Sequence, residues 1–206
     1  MSSKLSRIFA VLGGLMIAAA VFWAGWNAAL VKQAGESSDQ VLEQLHEVIP
    51  LTVDVRPEPG EATPLPDYVL NPAMPMPEQT VNGRAYIGFV SIPALELELS
   101  VASHWDYEAL NISPCRYFGS VYTDDLVLSA HNYDSHFGRL NTLQPGDEIR
   151  FTDVDGNVFH YQVALVELLG STAVEEMTAS GFPLSLFTCT VGGKNRVTVR
   201  CERVPD

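Results

Sequence analysis

Residues 8–31 carry no charged side chain. At an α-helical rise of about 1.5 Å per residue, such a run can cross the hydrocarbon core of a bilayer with some tilt. Trp23 and Trp26 stand near its C-terminal end, where indoles favour the membrane–water interface. Lys4 and Arg7 precede the run, whereas Lys32 and an acidic remainder follow it. The positive-inside rule then predicts a cytoplasmic N-terminus and an external bulk. The competing reading is a cleavable signal peptide, with Ala18-Ala19-Ala20 or Ala28-Ala29 as the small residues near a cut. The apolar run is longer than the core of such a peptide. The expectation is a cytoplasmic tail over 1–7 and an uncleaved single-pass signal anchor, a transmembrane helix, over 8–31.

Beyond Lys32 the chain holds 25 acids, the first being Glu36, and nine Lys or Arg, a net of −16. An acidic surface of that size argues against nucleic acid as a partner. Residues 32–82 read as an amphipathic helix followed by a linker. Val41, Leu42, Leu45, Val48 and Ile49 form one apolar stripe at helical spacing. Eight of the 13 prolines fall in 50–82, the composition of an extended, semi-stiff spacer.

From Gly83 to the end, over 83–206, the texture is that of short strands. Ala85–Val90 leads into Ser91-Ile92-Pro93. Leu95 to Val101 then alternates, leucines on one side and glutamates on the other. Leu126–Ala130 is an apolar strand. Glu148–Thr152 and Val158–Val166 form a hairpin across Asp153-Val154-Asp155-Gly156-Asn157. Short helices or turns are expected at 105–111 and 135–143. Another is expected at 171–178, capped by Ser171 or Thr172. Seven or eight short strands with few helices predict an all-β domain closed into a barrel.

Leu184 to Cys189 is a strand, Gly192-Gly193 supplies positive φ for a turn, and Arg196, Thr198 and Arg200 share one face of the returning strand. A hairpin return brings Cys189 and Arg196 within side-chain reach. A cation beside a cysteine favours thiolate, and the same guanidinium can hold an oxyanion. A free cysteine is as often a small buried hydrophobe. What adds weight is His131, at the end of the apolar strand Leu126–Ala130, because a cysteine nucleophile takes its proton partner from elsewhere in the sequence.

These three residues in this order resemble a sortase. The resemblance rests on Ser129-Ala130-His131-Asn132, on Leu186-Phe187-Thr188-Cys189, and on Arg196 before a Val-Thr-Val strand. It departs from the family pattern at Ser185, where a threonine is usual, and at Ala130, where a glycine is usual. The Ile-Pro followed by alternating leucines also resembles the opening strands of sortase domains. The resemblance implies a sortase-like closed barrel and a cysteine transpeptidase. Such an enzyme cuts a sorting signal of the Leu-Pro-x-Thr-Gly type in exported proteins and passes the acyl group to an amine of a peptidoglycan precursor or a pilin. It implies catalytic roles for Cys189, His131 and Arg196. Thr188 is expected to contact substrate backbone, though an ordinary strand threonine reads as well. No cofactor and no metal is implied. Some sortases carry a lid before the barrel with an Asp-Pro-aromatic anchor; here Asp67 is followed directly by Tyr68. That absence and the Ala-His-Asn context point to an anchoring enzyme of the class B-like kind, on a Gram-positive type cell surface.

Other readings stand beside this one. A papain-like wall peptidase uses similar chemistry, but places cysteine before histidine, on a helix. A non-catalytic barrel could bind peptide by strand addition. Arg200 rivals Arg196. His131, Asp134 and His136 could be read as an incomplete metal set. Asp125, Asp147, Asp153 and Asp155 follow no calcium-loop pattern. Cys115 could pair with Cys201, leaving Cys189 free.

Overall fold

The structure, a computed structural model, describes residues 2–50 and 65–204. In chain order its strands are β1 (Gln79–Val81), β2 (Arg84–Ile92), β3 (Leu97–Ala102), β4 (Cys115–Phe118), β5 (Leu126–Ala130), β6 (Glu148–Asp153), β7 (Val158–Gly170), β8 (Leu184–Cys189) and β9 (Asn195–Arg203). They hydrogen-bond in the order β1-β2-β3-β4-β5-β8-β9-β7-β6, and β6 pairs back onto β2. Eight strands therefore close into the expected barrel, with β1 as a short addition beside β2. Closure depends on Gly88. Its φ is 140°, and a Cβ there would lie 1.9 Å from the Thr152 carbonyl oxygen on β6. Only glycine permits both the conformation and the approach.

The period-2 alternation sorts side chains to the two faces of this ring. Leu99, Val101, Leu126, Leu128, Phe151, Phe159, Leu184, Leu186 and Val199 fill the interior. One end is stopped by the segment after β5, through Phe137, Leu140 and Leu143. Arg139 Nη2 donates to the Leu95 carbonyl there. At the opposite end Tyr68 stacks on Tyr122 with ring centroids 4.7 Å apart, and Tyr122 donates its hydroxyl to buried Asp153 at 2.8 Å. Tyr68 belongs to α2 (Asp67–Leu70), so this part of the proline-rich segment plugs the barrel end away from Cys189. Residues 51–64, where the extended spacer was expected, lie outside the described residues.

α1 (Ser2–Val48) is one continuous helix rather than two. It is the one described helix long and apolar enough to cross a membrane. Between residues 11 and 30 every residue but Gly13 is exposed, whereas Ala34, Ser38, Val41, Leu45 and Ile49 form a buried stripe. Val41, Leu45 and Ile49 of that stripe pack on the outer face of β2, β3 and β4, against Tyr86, Phe89, Ala102 and Cys115.

Several local expectations change. β1 and β4 were not legible as strands, being too short for alternation to show. Leu95 closes a 3-10 turn begun at Pro93, and Glu96 takes left-handed φ of 53°, so β3 starts at Leu97. The expected cap at Ser171 or Thr172 does not form. α4 (Val174–Thr178) starts from Ala173 without a side-chain cap, because residues 170–174 make a tight turn of their own, with the Ala173 N–H donated to the Gly170 carbonyl. Cys115 and Cys201 are unpaired, one under α1 and the other inside the barrel, on opposite faces of the sheet. Burial pushes the Cys115 thiol up to about 12 and raises that of Cys201 further still.

Candidate active site

The site grows out of register. β5 and β8 run parallel with Val127 opposite Ser185, Ser129 opposite Phe187 and Ala130 opposite Thr188. β8 and β9 run antiparallel with Ser185 opposite Arg200, Phe187 opposite Thr198 and Cys189 opposite Arg196. Neighbouring strands lie about 4.8 Å apart and side chains alternate between faces. The outer face of the barrel thus carries three rows across three strands. The first is Val127-Ser185-Arg200 and the second Ser129-Phe187-Thr198. The third, one residue past the end of β5, brings His131, Cys189 and Arg196 together.

The side chains in that row are held from several directions. His131 is half-buried, and its ring lies 4.9 Å from that of Tyr133. Burial lowers its pKa from the ordinary imidazole value, and no carboxylate pairs with it among the described residues. The loop that carries it folds back on itself: Phe137 N–H donates to the His131 carbonyl, and the His136 and Gly138 N–H groups both donate to that of Tyr133. Arg196 donates Nη1 to the Gly193 carbonyl at 2.9 Å and to its neighbour Asn195 at 3.2 Å. Gly192 and Gly193 both have positive φ, which lets the turn present those carbonyls. The other guanidinium donors carry no hydrogen bond among the described residues.

Thr188 points inward and is 2% exposed. Its hydroxyl donates to the Ala130 carbonyl at 2.8 Å. The side chain ties Cys189's strand to His131's strand, and its buried, inward position keeps the hydroxyl away from the outer face where Cys189 lies. Arg200, the rival arginine, is also 2% exposed. It donates to Glu167 Oε1 (2.8 Å), Ser185 Oγ (2.9 Å) and the carbonyls of Glu176 (2.6 Å) and Met177 (3.3 Å). The two carbonyl bonds fasten α4 to the barrel wall, and those to Glu167 and Ser185 tie β9 to β7 and β8, so Arg200 is a structural clamp.

Under α4 lies a small apolar cluster of Val127, Met177 and Phe187, with Tyr117 edge-on to Phe187 at 5.2 Å. A shallow cavity reaches from this cluster to Arg196, lined by Tyr117, Ser171, Val174, Met177 and Phe187. Sequence reasoning missed Tyr117, Val174 and Met177, because nothing local says that α4 folds over this face.

His136 is fully buried beside Tyr133. Burial, then the neighbouring His131, lower its pKa to about 4. The Ile112 carbonyl opposes that drop from outside good hydrogen-bond geometry. Among the described residues no three metal-ligating side chains converge. The aspartates considered for calcium act in turns. Asp125 accepts from Ser120 N–H, Asp147 from Gln144 N–H, and Asp153 from the N–H groups of Asp155 and Asn157.

A sortase-domain family model matches residues 90–204.

The chain belongs to the sortase family.

It is therefore an enzyme of the cysteine transpeptidase class. Among solved structures it is similar to sortase C1 from Streptococcus suis, at 26% identity and a TM-score of 0.50 over 59% of this chain and 74% of that one. It is also similar to sortase C1 from Streptococcus agalactiae (24%, 0.53, 62% and 72%). A third is the sortase D5 transpeptidase from Clostridium perfringens (15%, 0.58, 82% and 99%). The last two resemblances concern the fold alone. All three are of the C and D kinds by name, and the class B-like expectation has no counterpart among them. No curated protein matches the chain.

Proposed function

We propose that this sortase cleaves a Leu-Pro-x-Thr-Gly-like sorting signal through Cys189 and transfers the acylated protein to an amine of the cell wall or of a pilin. The observation that carries the reading is the register that sets His131, one residue past the end of β5, beside Cys189 of β8 and Arg196 of β9. In the first half-reaction Cys189 Sγ attacks the scissile carbonyl. The tetrahedral intermediate then collapses to a thioester, and protonated His131 gives its proton to the departing amine. In the second, the incoming amine loses a proton to neutral His131 and displaces the thiolate. Arg196, with donors to spare, stabilises the oxyanion or orients the substrate backbone. Thr188 positions the pair by locking β8 to β5. The groove under α4 offers an apolar wall for side chains of the signal.

The same reading divides the chain into a cytoplasmic tail over 1–7, an anchor over 8–31, a helix and linker over 32–82 and a catalytic domain over 83–206. The domain would then lie outside the cell, on a single-pass anchor. The uncharged 8–31 run and the exposure of that half of α1 support this division.

The test uses the full chain in detergent with quenched sorting-signal peptides, with and without amine acceptors, beside Cys189→Ala. Cysteine-dependent cleavage with an amine-linked product is expected. Cleavage that yields only free acid, whatever acceptor is added, would make the protein a peptidase. Activity surviving Cys189→Ala would remove the assignment of the nucleophile.

A further inference from the structure

The apolar half of α1 and its docking stripe are one unbroken helix, and the domain starts to touch that helix where the apolar run ends. Leu30, Gln33, Ala34 and Ser37 line a cleft of about 360 Å³ with Ile112 and Tyr133. Gly35 lies against Ser135, where a Cβ would stand 3.4 Å from the serine side chain. Tyr133 and Ser135 belong to the loop of His131, and the Tyr133 ring packs on that of His131. Farther along, Val41 and Leu45 pack on the barrel wall. Pro50 finally meets Gly156, in the turn between β6 and β7. So the loop bearing the catalytic histidine sits beside the membrane end of the docking stripe. The β6–β7 turn sits at its other end, about 22 Å farther along the helix axis.

We propose that α1 couples the bilayer rigidly to the barrel and turns the catalytic end toward the leaflet from which it emerges. The site then stands at the level of the His131 loop, next to the headgroups, and that level sets which bonds it can reach. The proposal rests on the reading of 8–31 as a membrane span and on the sortase reaction. Trp26 stands nine residues before Gly35, a rise of about 14 Å, so an interfacial indole at that level leaves the His131 loop at or just above the headgroups. A second observation agrees. Trp105 (40% exposed) and Tyr107 (74% exposed) form an unpacked aromatic pair 5.1 Å apart. α3 (Tyr107–Leu110) connects them to Asn111 and Ile112 on the same cleft. Exposed aromatics at that level suit the interface. Headgroup charge does not set the orientation, because the chain beyond Lys32 carries a net −16.

Two measurements on the full chain in phosphatidylcholine vesicles test this. In a Cys189→Ala background, Asp134→Cys and Asp155→Cys are each labelled with a fluorophore, and quenching by headgroup spin-labelled lipid is compared; the buried Cys115 and Cys201 stay unlabelled. Quenching several-fold stronger at 134 than at 155 is expected, unchanged by salt. Equal quenching overturns the proposal. In the second, seven helical residues are inserted between Lys32 and Gln33 of the otherwise native chain, lifting the barrel by about 10 Å with little rotation. Cleavage of a membrane-inserted substrate with its signal next to its span should fall on the order of tenfold or more. It should recover when that substrate receives a seven-residue spacer, with soluble-peptide cleavage unchanged throughout. Indifference to the insertion overturns the orientation. Failure of the native chain on soluble peptide would instead remove the sortase reaction, and extraction of the chain by alkaline carbonate would remove the span.

Discussion

Cys189 of β8 is flanked by Arg196 of β9 and by His131 just past the end of β5, and the two flanking residues differ in how freely they can act. Arg196 spends one nitrogen on the turn carbonyls of Gly193 and Asn195 and keeps the rest of its fork. Arg196→Ala should lower kcat/KM by about 10²–10³ if the fork holds the oxyanion. Arg196→Lys should recover only part, since an ammonium lacks the planar pair of donors. Steady-state kinetics on one peptide compares the two, and full rescue by lysine would mean that charge alone matters. His131 has no carboxylate partner and is lowered by burial. The acid limb of kcat/KM should therefore fall with an apparent pKa below the ordinary histidine value of about 6.5. A limb above that value would mean that a negative group reaches His131 when substrate binds.

Arg200 shows how an element is placed by one side chain. α4 spans a single short helical turn and has no capping side chain, so it has little stability of its own. Arg200 reaches from β9 across Ser185 to the carbonyls of Glu176 and Met177, and Met177 then closes over Val127 and Phe187. Arg200→Met should cost about 3 kcal/mol, because the buried carbonyls and the Ser185 hydroxyl lose their donor while Glu167 loses its cation. Urea unfolding would measure the loss. Faster proteolysis between residues 170 and 182 would show that α4 has come loose. If stability falls with no new cleavage there, the clamp serves the barrel wall rather than α4.

At the scale of the molecule, two plugs and one strut organise the barrel. Residues 131–143 stop the end that carries Cys189, α2 with Tyr68 stops the other, and α1 runs along the wall between them. His136 lies within the plug formed by residues 131–143, uncharged, with its pKa lowered to about 4. A histidine lowered on folding binds protons more readily unfolded. Its contribution is therefore complete above the unfolded value of about 6.5 and is lost as pH falls toward 4. His131, lowered as well, acts in the same sense. Stability should drop between pH 7 and 4.5, by on the order of 3 kcal/mol for His136 at full effect. The urea midpoint of His136→Asn should depend less on pH over that range. An equal slope in the variant would assign the pH dependence to other groups.

The sequence alone carried the strand periods, the apolar run over 8–31, the order His131, Cys189, Arg196, and the positive-φ turn at Gly192-Gly193. These are local properties: alternation, length, and residue types that nearest neighbours constrain. Tertiary structure decided everything that depends on which strand lies beside which. It separated Arg196 from Arg200, whose places on one strand face are equivalent by period and unlike in surroundings. It turned Thr188 inward onto Ala130, 58 residues away in the chain. It showed β1 and β4 as strands, because segments of three and four residues hold their shape only through partners. It also sent α2 to the barrel end opposite Cys189 and α1 past the His131 loop. Docking of that kind is set by complementary apolar faces remote in sequence, and no window along the chain contains both faces.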